Sequence, residues 1–569
     1  MTIPLAPVPP ASDATILCLG RPRFADPALA ELATREGAQA AWQQAWQVTG
    51  VKAPANVAGD YAVALRDEQG RVFMAVDRFA TRTLCYRVDG DRLRFAERVD
   101  MLADGGADLD PQAIFDYLFF HTIPSPRTVF RGIYRLPPGH CAVFEQGRLT
   151  VQPYWSPEFD EQHGRPFGTL RGEFLGLIED GVRTQIAGTD LSHVGCYLSG
   201  GTDSSTVAGM FGRVAGRAAR TYSIGFDAAG YDEMEFARIA SRHFGTEHHE
   251  YYVTPDDLVR GIPVVAAAYD QPFGNSSALP AYCCAQFAKA DGIDRMLAGD
   301  GGDELFGGNT RYAMQRIFGW YEALPRALRT HLMEPVLRQP VAGKVKLLRR
   351  AAGYVTQAKV PLPDRLQMFN LLLRLGVDQV LTPGFLSCID LDGPAREQRK
   401  VWNGVPEGSQ INRLLAFDWR YTLAENDLPK VRHTAALADV EVGFPFLDDA
   451  LLAFSQHLPS DYKLKGLKLR WFFKEALRGF LPDAILAKKK HGFGLPFGVW
   501  AARHTALNEL ARDTLGNLSE RGIVRGDFIR TLVEQRLAEA PGYYGEMVWI
   551  LIVLEHWLQA HAPDYRIQA

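Results

Sequence analysis

Residues 195–205, Gly-Cys-Tyr-Leu-Ser-Gly-Gly-Thr-Asp-Ser-Ser, constrain this chain more than any other stretch. A strand-like apolar run (Val194, Cys196, Tyr197, Leu198) empties into a Ser-Gly-Gly turn, and helical periodicity follows from Ser204 through Val207, Ala208, Met210 and Phe211. A strand that ends in glycines and turns at once into a helix lets the backbone approach a ligand closely. It also aims the unpaired N–H groups and positive dipole end of the helix at that ligand. Ser199, Ser204 and Ser205 add hydroxyl donors, and Asp203 can hold a magnesium ion against the same guest. The expected guest is a phosphate chain. No Gly-Lys-Ser/Thr ending is present, so the loop is not the common P-loop.

Around this turn the hydrophobic rhythm predicts alternating elements: helix 170–185, strand 194–198, helix 204–213, strand 221–226, helix 232–244, strand 249–253, helices 255–269 and 278–289, and strand 295–298. Such an order calls for a parallel sheet wound with helices, with ligands at the carboxyl ends of the strands. Beyond Phe306 the patterns read as almost wholly helical. Residues 14–155 differ, with short alternating runs (61–65, 72–76, 93–96) broken by Asp67-Glu68-Gln69-Gly70 and Val88-Asp89-Gly90-Asp91, and one helix at 111–120. The expected organisation is an antiparallel β-rich domain over 1–155, a linker over 156–167 and an α/β domain over 168–569. A chain of 569 residues is too long for one ordinary core.

Composition removes several classes. A net charge of −4 offers no basic face for nucleic acid. The apolar run Met547–Leu554 is far short of a membrane span, and the proline-broken start lacks the positive region of a signal peptide. Seven cysteines without CxxC spacing read as reduced thiols, which makes zinc and an oxidising compartment poor expectations; a cytoplasmic enzyme is expected.

Two further segments carry chemistry. Leu297-Ala298-Gly299-Asp300-Gly301-Gly302-Asp303-Glu304 is a second strand running into a glycine turn with acids on it. In a parallel sheet it shares a rim with the Ser199 turn, so Asp203 and Asp303 can share one Mg²⁺. In Lys488-Lys489-Lys490-His491-Gly492-Phe493-Gly494-Leu495-Pro496, a turn fixes Lys490, whose ammonium can bind a leaving pyrophosphate and stabilise an acyl-transfer transition state. Lys488 and Lys489 read as readily as a solvated face.

The Ser199 turn resembles the pyrophosphate loop of the ATP-pyrophosphatase family, whose members adenylate a substrate. With the other two segments, the chain resembles the asparagine synthetase class of glutamine amidotransferases over nearly its whole length. Further matches are Tyr222–Phe226, 231–233, 248–250, 441–448, and Trp549, Glu555 and Trp557. The resemblance implies an α/β protein: an amino-terminal-nucleophile (Ntn) glutaminase-like antiparallel domain, then a parallel ATP-pyrophosphatase (HUP-like) domain with a helical carboxyl-terminal region. It implies ATP at Leu198, Ser199, Gly200, Gly201, Asp203, Ser204, Ser205, Ile224, Phe226, Gly299, Asp300 and Gly301. Mg²⁺ is implied at Asp203 and Asp303, and a substrate pocket at Gln271, Ser276, Asp427, Lys430 and Glu441.

The chain also departs from that pattern. Position 2 is threonine where a working glutaminase has cysteine, the first cysteine is Cys18, and no Asn-Gly-Glu-Ile-Tyr-Asn-like segment follows. The first domain therefore reads as a degenerate glutaminase, although it keeps Gly59–Ala62, Asp77–Phe79, Pro124–Thr128 and Leu136–His140. Gln271 stands where the family has a glutamate, so a general base is expected elsewhere, at Asp270. Arg432 and Gly443 replace an aspartate and an arginine, which makes free aspartate a doubtful substrate. The expected reaction is ATP-dependent closure of a macrolactam, as in the cyclases of lasso peptides. That reading brings a precursor peptide, a leader peptidase and a leader-recognition protein as partners. Alternatives are an ammonia-using amidase of a small acid, a β-lactam-type ring closure, and a nucleotide-binding scaffold without activity.

Overall fold

Strands β1 (Ile16–Gly20), β2 (Tyr61–Arg66) and β3 (Val72–Val76) alternate in sequence, yet β2 and β3 are buried on both faces. The computed structural model, which describes residues 15–104, 108–335, 346–406, 408–489 and 494–567, shows why. These strands join β7 (His140–Glu145) and β8 (Arg148–Pro153) in an antiparallel sheet of order β1-β2-β3-β7-β8. Helices α1 (Pro27–Glu36) and α2 (Ala38–Thr49) cover one face, with Trp42 on Tyr61 and Trp46 stacked on Phe73. A second sheet, β4 (Cys85–Asp89), β5 (Arg92–Ala96) and β6 (Ile133–Arg135), covers the other through Leu93 and Phe95 on Ala64 and Met74. The sequence reading did not anticipate α1 and α2. The Asp67–Gly70 turn is set by Asp67, whose Oδ1 accepts from the amides of Gln69 and Arg71 at 3.0 and 2.8 Å. Helix α3 (Pro111–Phe120) is mostly apolar, is buried over most of its residues and packs between this domain and the next.

In the second half, β9 (Val194–Tyr197), β10 (Arg220–Phe226), β11 (Glu247–Val253), β12 (Arg295–Leu297) and β13 (Glu441–Gly443) form an all-parallel sheet of order β11-β10-β9-β12-β13. Helices α4 (Phe167–Ile186), α5 (Thr202–Ala215), α6 (Met234–Phe244), α7 (Pro255–Ala268), α8 (Ala278–Ala290) and α9 (Gly302–Phe306) connect and cover it. From β9 the chain winds outward to β11, then crosses to the other side at β12. The carboxyl ends of β9 and β12 thus flank the switch point where an open parallel sheet holds its ligand. The region after Phe306 is helical for most of its length, as expected, and Glu441–Gly443 returns from it as the edge strand β13, too short for a periodicity to register.

The stretch expected to be a linker is pinned rather than loose. Glu161 accepts from Asn412 Nδ2 at 2.7 Å and from the Ser460 amide at 2.9 Å, and Trp155 and Phe159 pack on Trp419. The last helix, Pro541–His561, carries Trp549 and Trp557, whose indole N–H groups donate to Gly274 and Tyr269 carbonyls, each at 3.0 Å. Its Glu555, 1% exposed, is bound by Arg521. Among the described residues, no helix is long and apolar enough to cross a membrane.

Candidate active site

At the carboxyl end of β9 the chain turns through Ser199–Gly201 into α5. The Ser199 amide donates to Ser204 Oγ at 3.1 Å, and the two hydroxyls lie 3.0 Å apart, so the loop is folded back on the first turn of the helix. Gly200 has φ +65°, and a Cβ there would meet Ala237 N and Phe236 C at 2.3 Å. No side chain caps α5, whose N-cap is Gly201; its leading N–H groups stay available to an anion. From below, Lys488 reaches the carbonyls of Ser199 and Gly200 at 3.5 and 3.4 Å while paired with Glu233 at 3.0 Å. Lys488, with only 10% of its side chain exposed, is therefore a clamp on the loop rather than part of a solvated face; Lys489 is exposed.

The second turn comes from β12 and meets the first. Its glycines are steric requirements: a Cβ on Gly299 would lie 2.7 Å from the Ser204 amide, and on Gly302 2.3 Å from Asp203 Oδ1. One on Gly308 would overlap Asp303 Oδ1 at 1.7 Å. The carboxylates of Asp203 and Asp303 converge on one guanidinium, that of Arg470, which the sequence reading missed. Its Nη1 donates to Asp203 Oδ2 at 2.7 Å, Asp303 Oδ1 at 2.6 Å and Thr202 Oγ1 at 3.0 Å, and its Nη2 donates to Asp203 Oδ1. Arg470, 5% exposed, lies 3.7 Å over the Phe473 ring. Burial opposes its charge, but Asp203 and Asp303 outweigh burial and hold the proton more tightly than usual. An isolated arginine in a helical region carries no motif, so only the fold reveals it.

These turns open into a cleft of about 490 Å³ lined by Leu198, Ser199, Asp203, Ser204, Ile224, Gly299, Asp300, Asp303, Asp427 and Lys430, together with Tyr222, Asn275 and Glu304. Lys430 Nζ lies 2.8 Å from Asp427 and 3.9 Å from Asp300. Burial would release its proton, but the two acids outweigh burial and raise its pKa. Burial pushes Asp300 up to about 6, against Lys430. Among the described residues, the carboxylates of Asp203, Asp300, Asp303, Glu304 and Asp427 line this cleft with Lys430, and hard oxygens so arranged suit a polyphosphate bearing a divalent cation. The hard oxygens of Asp203 and Asp303, meeting at one positive group, suit such an ion. No group of three or more His, Cys, Asp or Glu among the described residues forms a closed metal cage; an ion here would complete its shell with ligand oxygens.

Other expected residues lie elsewhere. Gly200, Gly201 and Gly301 shape the turns without lining the cleft. Ser205 is fully buried, its hydroxyl without a partner among the described residues, and Phe226 is buried against Trp500. Ser276 is passed over while Asn275 and Ser277 face in. Asp270 is not placed as a base in this cleft: Oδ2 accepts the Val99 amide at 2.9 Å across the domain junction. Gln271 is 6% exposed and also outside it, Oε1 lacking a partner among the described residues. Glu441 starts β13, at the opposite end of the sheet, paired with Arg295 at 2.6 Å beside a separate cavity of about 640 Å³. Arg432 binds Glu97 and Thr83 at 3.1 Å on that same side. A Cβ on Gly443 would meet Gln185 Oε1 at 2.6 Å. Neither replacement lines the cleft: Arg432 turns from its helix toward Glu97 and Thr83 of the first domain, and Gly443 packs against Gln185 and Arg295. Lys490 lies outside the described residues.

Comparison with known proteins gives the lineage. The asparagine synthase family matches residues 173–559, and the glutamine amidotransferase domain family matches 41–155. The glutamine-hydrolysing asparagine synthetase 1 of Bacillus subtilis is 24% identical over 517 residues, covering 89% of this chain and 78% of that protein. Amidase chry2 of Gibberella zeae is 24% identical, covering 82% and 74%. Amidase chyE of Penicillium rubens is 23% identical, covering 84% and 75%. The chain belongs to the asparagine synthase family, and with it to the ATP-dependent carbon–nitrogen ligases that form AMP and pyrophosphate.

Proposed function

We propose that this ligase closes a macrolactam in a lasso-type peptide precursor. The reading rests on one observation: a single cleft gathers the Ser199 turn, the Asp300–Asp303 turn and the Asp427–Lys430 pair. A side-chain carboxylate of the peptide attacks the α-phosphorus of ATP, the bond to the β-phosphate bridge breaks, and pyrophosphate leaves. The peptide's terminal amine then attacks the acyl carbon, loses one proton, and AMP departs with the former carboxylate oxygen. Ser199, Ser204 and the start of α5 bind phosphate oxygens, and Ile224 borders the adenosine. Asp203 and Asp303 would hold Mg²⁺, which when bound offsets charge on the phosphates. Lys430, kept protonated by Asp427 and Asp300, orients the carboxylate; Lys490 is assigned to the charge that develops on acyl transfer.

An internal amine suits this chain. Burial raises the pKa of Cys18, Cys85 and Cys141 alike, so no described thiol of the first domain is a ready thiolate for glutamine hydrolysis. An amine on the same molecule also replaces a second encounter by a high effective concentration. On this reading a leader-recognition protein and a leader peptidase deliver the peptide. A second reading, amidation of a small acid with ammonia, is favoured by the distance of Arg432 and Gly443 from the cleft and by the relatives named amidases.

The test supplies ATP and Mg²⁺ with either a leader-free peptide bearing Asp or Glu at a ring position, or aspartate plus ammonia. Loss of one water from the peptide, matched to pyrophosphate release, is expected. Asparagine formation with an unchanged peptide would replace the proposal by the second reading. Asp303→Ala and Lys490→Ala should both lose product, and normal turnover in either removes its assigned role.

A further inference from the structure

The amino-terminal domain keeps two stretches, Pro124–Thr128 and Leu136–His140, that the reaction above leaves without work. The first, with Arg135 just ahead of the second, converges on one buried acid of the other domain. Glu425, 2% exposed, accepts from the Ser125 amide at 3.1 Å and the Ser125 hydroxyl at 2.7 Å. Arg135 and Arg420 donate to its two oxygens, Arg420 also to Ser125 Oγ at 2.9 Å, and Thr122 to its carbonyl at 3.1 Å. Ser125 and Arg135 are 6% and 8% exposed. An ion cluster this deep tolerates little movement, since any displacement leaves a charge unpaired away from water.

Glu425 lies on Trp419–Asp427, which is wound as a π-helix, a costly winding that accumulates at functional sites. Both ends of that segment are tied to the cleft, one through a lining residue's carbonyl and one directly. At the start, Trp419 Nε1 donates to the Glu304 carbonyl at 2.9 Å, and its ring is wedged between Phe79, Trp155 and Phe159. At the end come Asp427 and, in the next helix, Lys430, while Asn426 accepts from Asn275 Nδ2 at 2.6 Å.

We propose that the amino-terminal domain serves as a positioning element for the nucleotide cleft, acting through Glu425, which holds the π-helical segment so that Asp427 and Lys430 face the ligand. Glu425 touches no ligand itself and is a positioning residue. The inference rests on the reading of the cleft as the ATP site. It gives the retained stretches a purpose that needs no glutamine chemistry.

The experiment titrates the full chain with Mg²⁺–ATP by calorimetry and follows amide hydrogen exchange, comparing wild type with Glu425→Gln and the milder Ser125→Ala. Wild type without ATP binding refutes the cleft assignment itself. If wild type binds, Glu425→Gln should weaken ATP about tenfold and speed exchange in residues 419–431 while β9 and β10 keep their protection; Ser125→Ala should move both in the same direction by less. Wild-type ATP affinity in a folded Glu425→Gln or Ser125→Ala chain, or exchange accelerated uniformly across the molecule, overturns the proposal in favour of plain structural support. Should Glu425→Gln not fold, Ser125→Ala decides alone.

Discussion

Replacing Arg470 by Met removes the guanidinium that binds both Asp203 and Asp303 while keeping much of the stem. The two carboxylates are about one-fifth exposed (19% and 20%), so water recovers part of the loss. Removing one partner of a fully buried pair costs roughly 3–5 kcal/mol, and the partial exposure brings the expectation to about 2–3 kcal/mol. The lost stacking on Phe473 adds at most about 1–2 kcal/mol. A divalent cation between the same carboxylates supplies what the guanidinium did: at a hundredfold excess over its dissociation constant a ligand returns about 2.7 kcal/mol. Thermal unfolding is therefore followed for both proteins with chelator and with Mg²⁺. The variant should unfold well below wild type in chelator, and Mg²⁺ should raise its transition much more than that of wild type. Equal transitions in chelator, or equal responses to Mg²⁺, would refute the argument that the two acids form one charge site.

Asp300, pushed up to about 6 from 3.8, binds its proton more tightly folded than unfolded, so its contribution to stability is greatest below pH 4 and is lost as pH rises through about 6. The shift corresponds to roughly 3 kcal/mol at most, less for a side chain 21% exposed; Asp300→Asn should flatten denaturant-derived stability between pH 4 and 6, and an unchanged slope counts against the assignment. Lys463, fully buried with its Nζ on Asn412 Oδ1 at 2.8 Å, is pushed down to about 7 by burial. The unfolded chain then holds the extra proton, the penalty from Lys463 fades as pH rises from 7 toward 10, and Lys463→Met should stabilise the protein at pH 6 and remove that part of the pH dependence. Gly308→Ala drives a methyl into Asp303 Oδ1 and should weaken Mg²⁺–ATP at least tenfold in calorimetry while leaving secondary structure by circular dichroism intact; undiminished binding would show that Asp303 need not hold its present position.

Much of the architecture was legible because it rests on local rules. The run from Val194 to Phe211 announced strand, glycine turn and helix, and β9 and α5 appear within two residues of the expected bounds. The alternation through Leu297 implied the parallel sheet, and the Asp67 and Asp89 turns implied hairpins. Helices α1 and α2 escaped because their apolar stripe is thin: α1 buries no residue fully and α2 only Ala41, Trp42 and Ala45.

The chain's own order thus determined the two glycine turns, since a strand leaving through glycines into a helix leaves the backbone few alternatives. Which distant groups would stand beside those turns was a matter of packing. Arg470 reaches Asp203 and Asp303 across 267 and 167 positions, and Glu425 reaches Ser125 across 300. Charges so buried are held by partners that must be brought to them, and no local pattern records that pairing. The same separation moved Asp270, Arg432 and Glu441 out of the cleft: side chains next to a motif in sequence point wherever strand direction and domain contacts send them.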